Sequence, residues 1–147
     1  MKPRLTRGGF LTAGLAGFAA LPRPAHAAEP TPAEKANLAL VTDFCAAFAG
    51  RDMARIASFL AGDCVYRVTE STPPLTGKDA IERIRAYVER STQIEFKILE
   101  SWVKGSIVVN ERIDSFVSPQ RTNSYHLTGV FFVKDGKIAE WTDYNIR

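Results

Sequence analysis

The chain has 147 residues, 46% hydrophobic and 24% charged, the make-up of one ordinary globular domain with enough apolar material for a core and no room for a second. Its formal charge of +3 comes from the first 27 residues: Lys2, Arg4, Arg7 and Arg23 are 4 of the 19 basic residues, so 15 remain against 16 acidic ones, a net of -1. A nucleic-acid partner then has no electrostatic case.

Residues 1–27 read as an export signal. A basic start (Lys2, Arg4, Arg7) precedes an apolar run from Gly9 to Leu21, and Ala25-His26-Ala27 is a small-x-small cleavage site. Thr6-Arg7-Gly8-Gly9-Phe10-Leu11 is similar to a twin-arginine motif whose second Arg has become Gly, which leaves the twin-arginine and Sec routes both open. The run is shorter than the ~20 residues that span a bilayer. The expectation is a mature domain over 28–147 that is periplasmic or secreted and has no membrane segment. Cys45 and Cys64 are the only cysteines; at their positions in a helix and a strand they read as small buried hydrophobes rather than a disulfide. With no clustered histidines they make no zinc site, and no other metal or cofactor has visible ligands.

Ala28 to Pro32 is a linker, and Thr31-Pro32 caps a helix over 33–49 that repeats Leu38, Val41, Phe44, Cys45 and Phe48 at helical spacing. Gly50 ends it, and Asp52 caps a second helix that buries Ile56, Phe59 and Leu60. Gly62-Asp63 predicts a turn into a strand over 64–68, with Cys64, Tyr66 and Val68 on one face. Ser71 to Gly77 carries Pro73-Pro74 and reads as a loop. Lys78 to Val88 forms a third helix burying Ile81, Ile84, Tyr87 and Val88.

From Thr92 the period changes to two. Ile94, Phe96, Ile98 and Trp102 alternate with polar residues, Lys104-Gly105 turns, and strands follow over 106–118, 121–134 and 137–146, the last two joined at Asp135-Gly136. Helices first and antiparallel strands afterwards define an α+β fold, with helices packed over the concave face of a conical, curved sheet. On the outer face Thr128, Val130 and Phe132 offer a homodimer surface. His126 falls on that side, as a partly exposed or dimer-facing residue. Mixed charges over 78–90 describe a solvated helix face.

The chemistry concentrates in Glu111-Arg112-Ile113-Asp114 and in Trp141-Thr142-Asp143-Tyr144. Strand parity turns Arg112 and Asp114 to one face, and Asp143 to the face of Trp141 and Ala139. A lone buried charge costs several kcal/mol, so these groups are expected either to meet inside or to form an exposed surface pair worth ~0–1 kcal/mol. If they meet, one guanidinium holds two carboxylates, of which one keeps a proton and the other stays anionic, an acid and a base in one pocket. Tyr66 is expected beside them, with Trp102, Phe116, Leu127, Phe131 and Trp141 as apolar lining.

These segments, with Ser124-Tyr125-His126-Leu127-Thr128-Gly129-Val130-Phe131 and Asp135-Gly136-Lys137-Ile138, resemble the limonene epoxide hydrolase family. That family lies within the SnoaL-like, nuclear transport factor two-like (cystatin-like) superfamily. The resemblance implies that Arg112 bridges two aspartates, Asp114 is the acid, Asp143 the base, and Tyr66 orients the attacking water. The family's Asn two residues after that tyrosine falls here at Val68, which has no hydrogen-bonding group. The implied reaction is one-step hydration of a small hydrophobic epoxide to a vicinal diol. A ketosteroid-isomerase-like or polyketide-cyclase-like enzyme, and a non-catalytic binding or dimerisation module, are the alternatives, since one fold hosts many functions.

Overall fold

A computed structural model describes residues 29–146, so the export-signal reading lies outside the described residues. Three helices, α1 (Pro32–Ala47), α2 (Met53–Ser58) and α3 (Gly77–Arg90), pack on six strands: β1 (Leu60–Arg67), β2 (Leu75–Thr76), β3 (Gln93–Lys104), β4 (Ile107–Val117), β5 (Thr122–Lys134) and β6 (Lys137–Asn145). The sheet is curved and unclosed, in the order β2-β1-β6-β5-β4-β3, and only the β1–β6 pairing is parallel. No helix among the described residues is long and apolar enough to cross a membrane.

The helix starts follow from side-chain chemistry. Thr31 and Glu34 form a reciprocal capping box at the head of α1 (3.2 and 2.8 Å), and Asp52 accepts from the Ala54 and Arg55 backbone N–H groups at the head of α2. Glu34 does a second job. Its other carboxylate oxygen accepts from the Gly105 backbone N–H (2.8 Å), tying α1 to the β3–β4 turn, and these bonds pull its pKa down to about 2. Helix α1 ends at Ala47 in a short 3-10 turn, and Arg51 rather than Gly50 takes the left-handed backbone position (φ 54°). Arg51 is held there by bonds to the Val88 and Thr92 carbonyls, at 3.4 and 3.2 Å.

The core lies between the helices and the concave face. Phe44 makes edge contacts with Phe48 and Trp141 (both 5.2 Å between centroids), and Trp141 stacks on Phe131 and Tyr66. Each such pair adds ~0.5–1.5 kcal/mol beyond the area it buries. Cys45 and Cys64 are buried and unbridged, and burial pushes both thiols up to about 12.

Four expectations are corrected. Gly62-Asp63 does not turn the chain; it lies within β1, between Leu60 and Val65, where the pairing with β6 shifts register, so Leu60 is a strand residue. The loop over 71–77 contains β2, which pairs Thr76 and Leu75 with Val65 and Tyr66 at the edge of the sheet.

The other two corrections are bulges. Ile98 faces Arg112 but Glu100 faces Glu111, so Leu99 is an extra residue in β3. Beyond it the parity inverts: Val103 turns in against the core, and Trp102 turns out, 47% exposed on the outer face and away from any site. Likewise Phe132 faces Glu140 while Val133 faces Ile138, which leaves Ala139 as the bulged residue; Ile138, not Ala139, is buried alongside Trp141. Phe132, Ile107, Trp102 and Tyr144 stand exposed beyond the core. His126 is also exposed, its Nε2 2.6 Å from Glu111 Oε1.

Candidate active site

Strand register brings the distant segments together. Arg112 and Asp114 lie on the inner face of β4, opposite Leu127 and Tyr125 of β5, and Gly129 of β5 stands between Asn110 of β4 and Asp143 of β6. The exposed-pair reading is overturned: Arg112, Asp114 and Asp143 are 0%, 2% and 3% exposed.

Arg112 is satisfied on three sides. Its Nε donates to Asp114 Oδ1 (2.8 Å), Nη1 to Asn110 Oδ1 (2.9 Å) and Nη2 to Asp143 Oδ1 (2.7 Å). Asn110 is anchored in turn by its amide, which donates to Cys45 Sγ at 3.6 Å. The guanidinium carbon lies 5.3 Å from the Phe96 ring centre and 5.7 Å from those of Phe131 and Trp141, so aromatic rings occupy the positions where water would otherwise solvate the charge. Asp143 Oδ1 accepts a second bond, from Trp141 Nε1 (2.7 Å).

The electrostatics follow from burial. It would lower the Arg112 pKa, but the two carboxylates outweigh it and hold the guanidinium charged. Burial raises both aspartates and outweighs the opposing pull of Arg112; Asp114 reaches about 7. Asp143 is opposed by donors from both Arg112 and Trp141, Asp114 by Arg112 alone, so the anion is better supported on Asp143. Among the described residues no donor bonds the second oxygen of either carboxylate, and both residues line one cavity.

That cavity holds about 590 Å³, within the ~300–1,000 Å³ usual for small-molecule sites. Of the residues expected to line it, Tyr66, Phe116, Leu127 and Trp141 do. Phe131 is fully buried beneath Trp141 and Arg112 as a floor rather than a wall, and Trp102 is on the other side of the sheet. Val68 lines the cavity and offers no polar atom there.

Two participants are missed by the sequence reading. Phe96, one of the alternating apolar positions of β3, stands over Arg112, and Tyr87, an apolar position of α3, also lines the cavity. The Tyr87 hydroxyl is buried, makes no hydrogen bond of good geometry among the described residues, and interacts with the Tyr66 hydroxyl. Burial first, then Asp143 and Tyr87, raises the Tyr66 pKa, and burial raises that of Tyr87. No group of three or more His, Cys, Asp or Glu side chains among the described residues is placed to hold a metal ion.

Gly129 has to be glycine. A Cβ at that position would collide with Arg112 Nη1 and crowd Phe131 and Asn110 Oδ1. Gly129→Ala is expected to displace the guanidinium and destabilise the fold by about 3 kcal/mol, the scale of a broken buried ion pair; urea unfolding of the variant beside the parent checks it.

A model of the SnoaL-like domain family matches residues 41–141. Among solved structures, the chain is similar to an LEH-like epoxide hydrolase of M. tuberculosis, at 25% identity and a TM-score of 0.67 over 78% of this chain and 86% of that one. It shares its fold with AusH from Aspergillus nidulans (15% identity, TM-score 0.70, 80% and 87% covered). A protein of ketosteroid-isomerase-like fold from Catenulispora acidiphila DSM 44928 (16% identity, TM-score 0.63, 71% and 83% covered) is a further fold relative. With two thirds of its length matched and the α+β architecture of that superfamily, the chain belongs to the SnoaL-like domain family, within the nuclear transport factor two-like superfamily.

Proposed function

We propose that the protein is an epoxide hydrolase, adding water to a hydrophobic epoxide in one step to give a vicinal diol. The observation that carries this reading is Arg112 bonded to both Asp114 and Asp143 at the base of a largely apolar cavity, with one oxygen of each carboxylate uncommitted. In the reaction Asp143 takes a proton from water as the water oxygen bonds to a ring carbon. The ring C–O bond breaks, and Asp114 gives its proton to the departing oxygen. Arg112 keeps the pair in register, and the cycle closes when Asp143 loses its proton and Asp114 regains one.

The attacking water needs holding groups besides Asp143. Tyr66 supplies one, and Tyr87, whose hydroxyl interacts with that of Tyr66, orients it in place of the polar group that Val68 lacks.

A second reading is proton transfer within an apolar substrate, as an isomerase or cyclase would carry out. It is favoured by the Asp114 carboxyl raised to about 7 among apolar walls. The hydrolase reading requires oxygen from labelled water to appear in the product, which proton transfer alone does not deliver.

Three outcomes are expected when purified protein is assayed for diol formation with a panel of hydrophobic epoxides. Asp143→Asn should lower the rate at least ~100-fold, the usual worth of a general base; undiminished turnover would remove Asp143 from the mechanism. As pH rises through about 7, Asp114 loses the proton it must donate, so the rate should fall, and rate against pH would read this out. Tyr87→Phe should lower kcat by about tenfold with little change in KM, because it misplaces water rather than substrate.

A further inference from the structure

The cavity changes character along its length. Its deep end carries Asp114 and Asp143, both engaged with Arg112, and its middle is walled by rings and aliphatic groups. Its rim carries two more arginines, Arg90 and Arg121, which the hydration chemistry does not use.

They reach the rim from different elements fastened to each other. Arg90 is the last residue of α3, and just beyond it the Thr92 backbone N–H donates to the Val117 carbonyl (2.7 Å), pinning the end of the helix to the end of β4. Arg121 closes the turn that follows β4, where Ser118 and Arg121 exchange backbone bonds at 2.9 and 3.3 Å. The Arg90 guanidinium lies 5.8 Å from the centre of the Tyr87 ring, itself part of the cavity wall.

Neither arginine forms an ion pair with another described residue. The cavity wall contains no acid besides Asp114 and Asp143. Position at a helix C-terminus accounts for a positive charge at Arg90, but not for a second, unneutralised one, also exposed, on the lining of the same cavity.

We infer that Arg90 and Arg121 form a subsite for the carboxylate of an amphipathic substrate, whose apolar chain fills the cavity down to the Asp-Arg-Asp floor. The substrate class is then an epoxidised aliphatic acid, entering tail first and held by its head group at the rim. Guanidinium groups suit this role because their planar donors match a carboxylate edge. The inference rests on the hydrolase reading for the reacting group, and on the cavity alone for the head group.

The test separates the two. Calorimetry with dodecanoate and with dodecanamide, neither of which has an epoxide to react, measures the head-group preference without turnover. At low salt the acid should bind about fivefold tighter than the amide, the scale of exposed charge pairs. The ratio should fall toward one in Arg90→Gln/Arg121→Gln and in about 0.5 M salt, where screening shortens to a few ångströms. Amide binding by the variant shows that it is folded. Equal binding of acid and amide by the parent, a ratio that persists in the double variant, or no binding of either ligand would overturn the subsite. Failure to hydrate any epoxide while the acid preference and its loss in the variant are observed would overturn the hydrolase reading and leave the carboxylate subsite standing.

Discussion

A single buried guanidinium sets the terms for the rest of the molecule. Arg112 has no contact with solvent, and a charge that deep costs several kcal/mol unless it is compensated. Compensation requires β4 to supply Asp114 and Asn110, β6 to supply Asp143, and β5 to present a glycine over which the guanidinium can lie. The same demand fixes the register of three strands. A slip by one residue would send Arg112 to the outer face and leave Asp143 without its cation. Specificity of pairing and assembly of the site are here one requirement.

Much of this was legible because strands have a period of two. Arg112, Asp114 and Asp143 carry their facing in their numbers, but parity alone does not say which face is buried, so an exposed pair stayed open until the fold closed over them. Tyr66 was legible for the same reason. Parity fails where a strand gains a residue. Leu99 and Ala139 each occupy a bulge that no glycine or proline announces, and each inverts the facing of what lies beyond it, which is how Trp102 ends outside. The two-residue strand β2 is too short to leave any periodic trace.

Tyr87 was illegible for another reason. At helical spacing a tyrosine counts as an apolar residue, and its ring does pack, against Phe116. The hydroxyl at the end of that ring is a separate group, and what it meets depends on the strands that carry Tyr66 and Asp143. Pattern gives the direction of a side chain; the environment of its last atom is a tertiary property.

The parallel pairing of β1 with β6 carries a consequence for how the chain reaches this structure. β6 is the last strand in chain order yet sits inside the sheet, between β1 and β5. Until it is laid down, the sheet is two separate pieces, β2-β1 and β5-β4-β3, each with a bare edge of unpaired backbone groups. Contacts between residues as far apart as Tyr66 and Trp141 give the fold a high contact order, and loops of that length are slow to close. During synthesis the half-built sheet must wait, the facing edges of β1 and β5 open, for the strand that also delivers Asp143, so those two edges are covered and the Arg112 cation gains its second carboxylate in the same event.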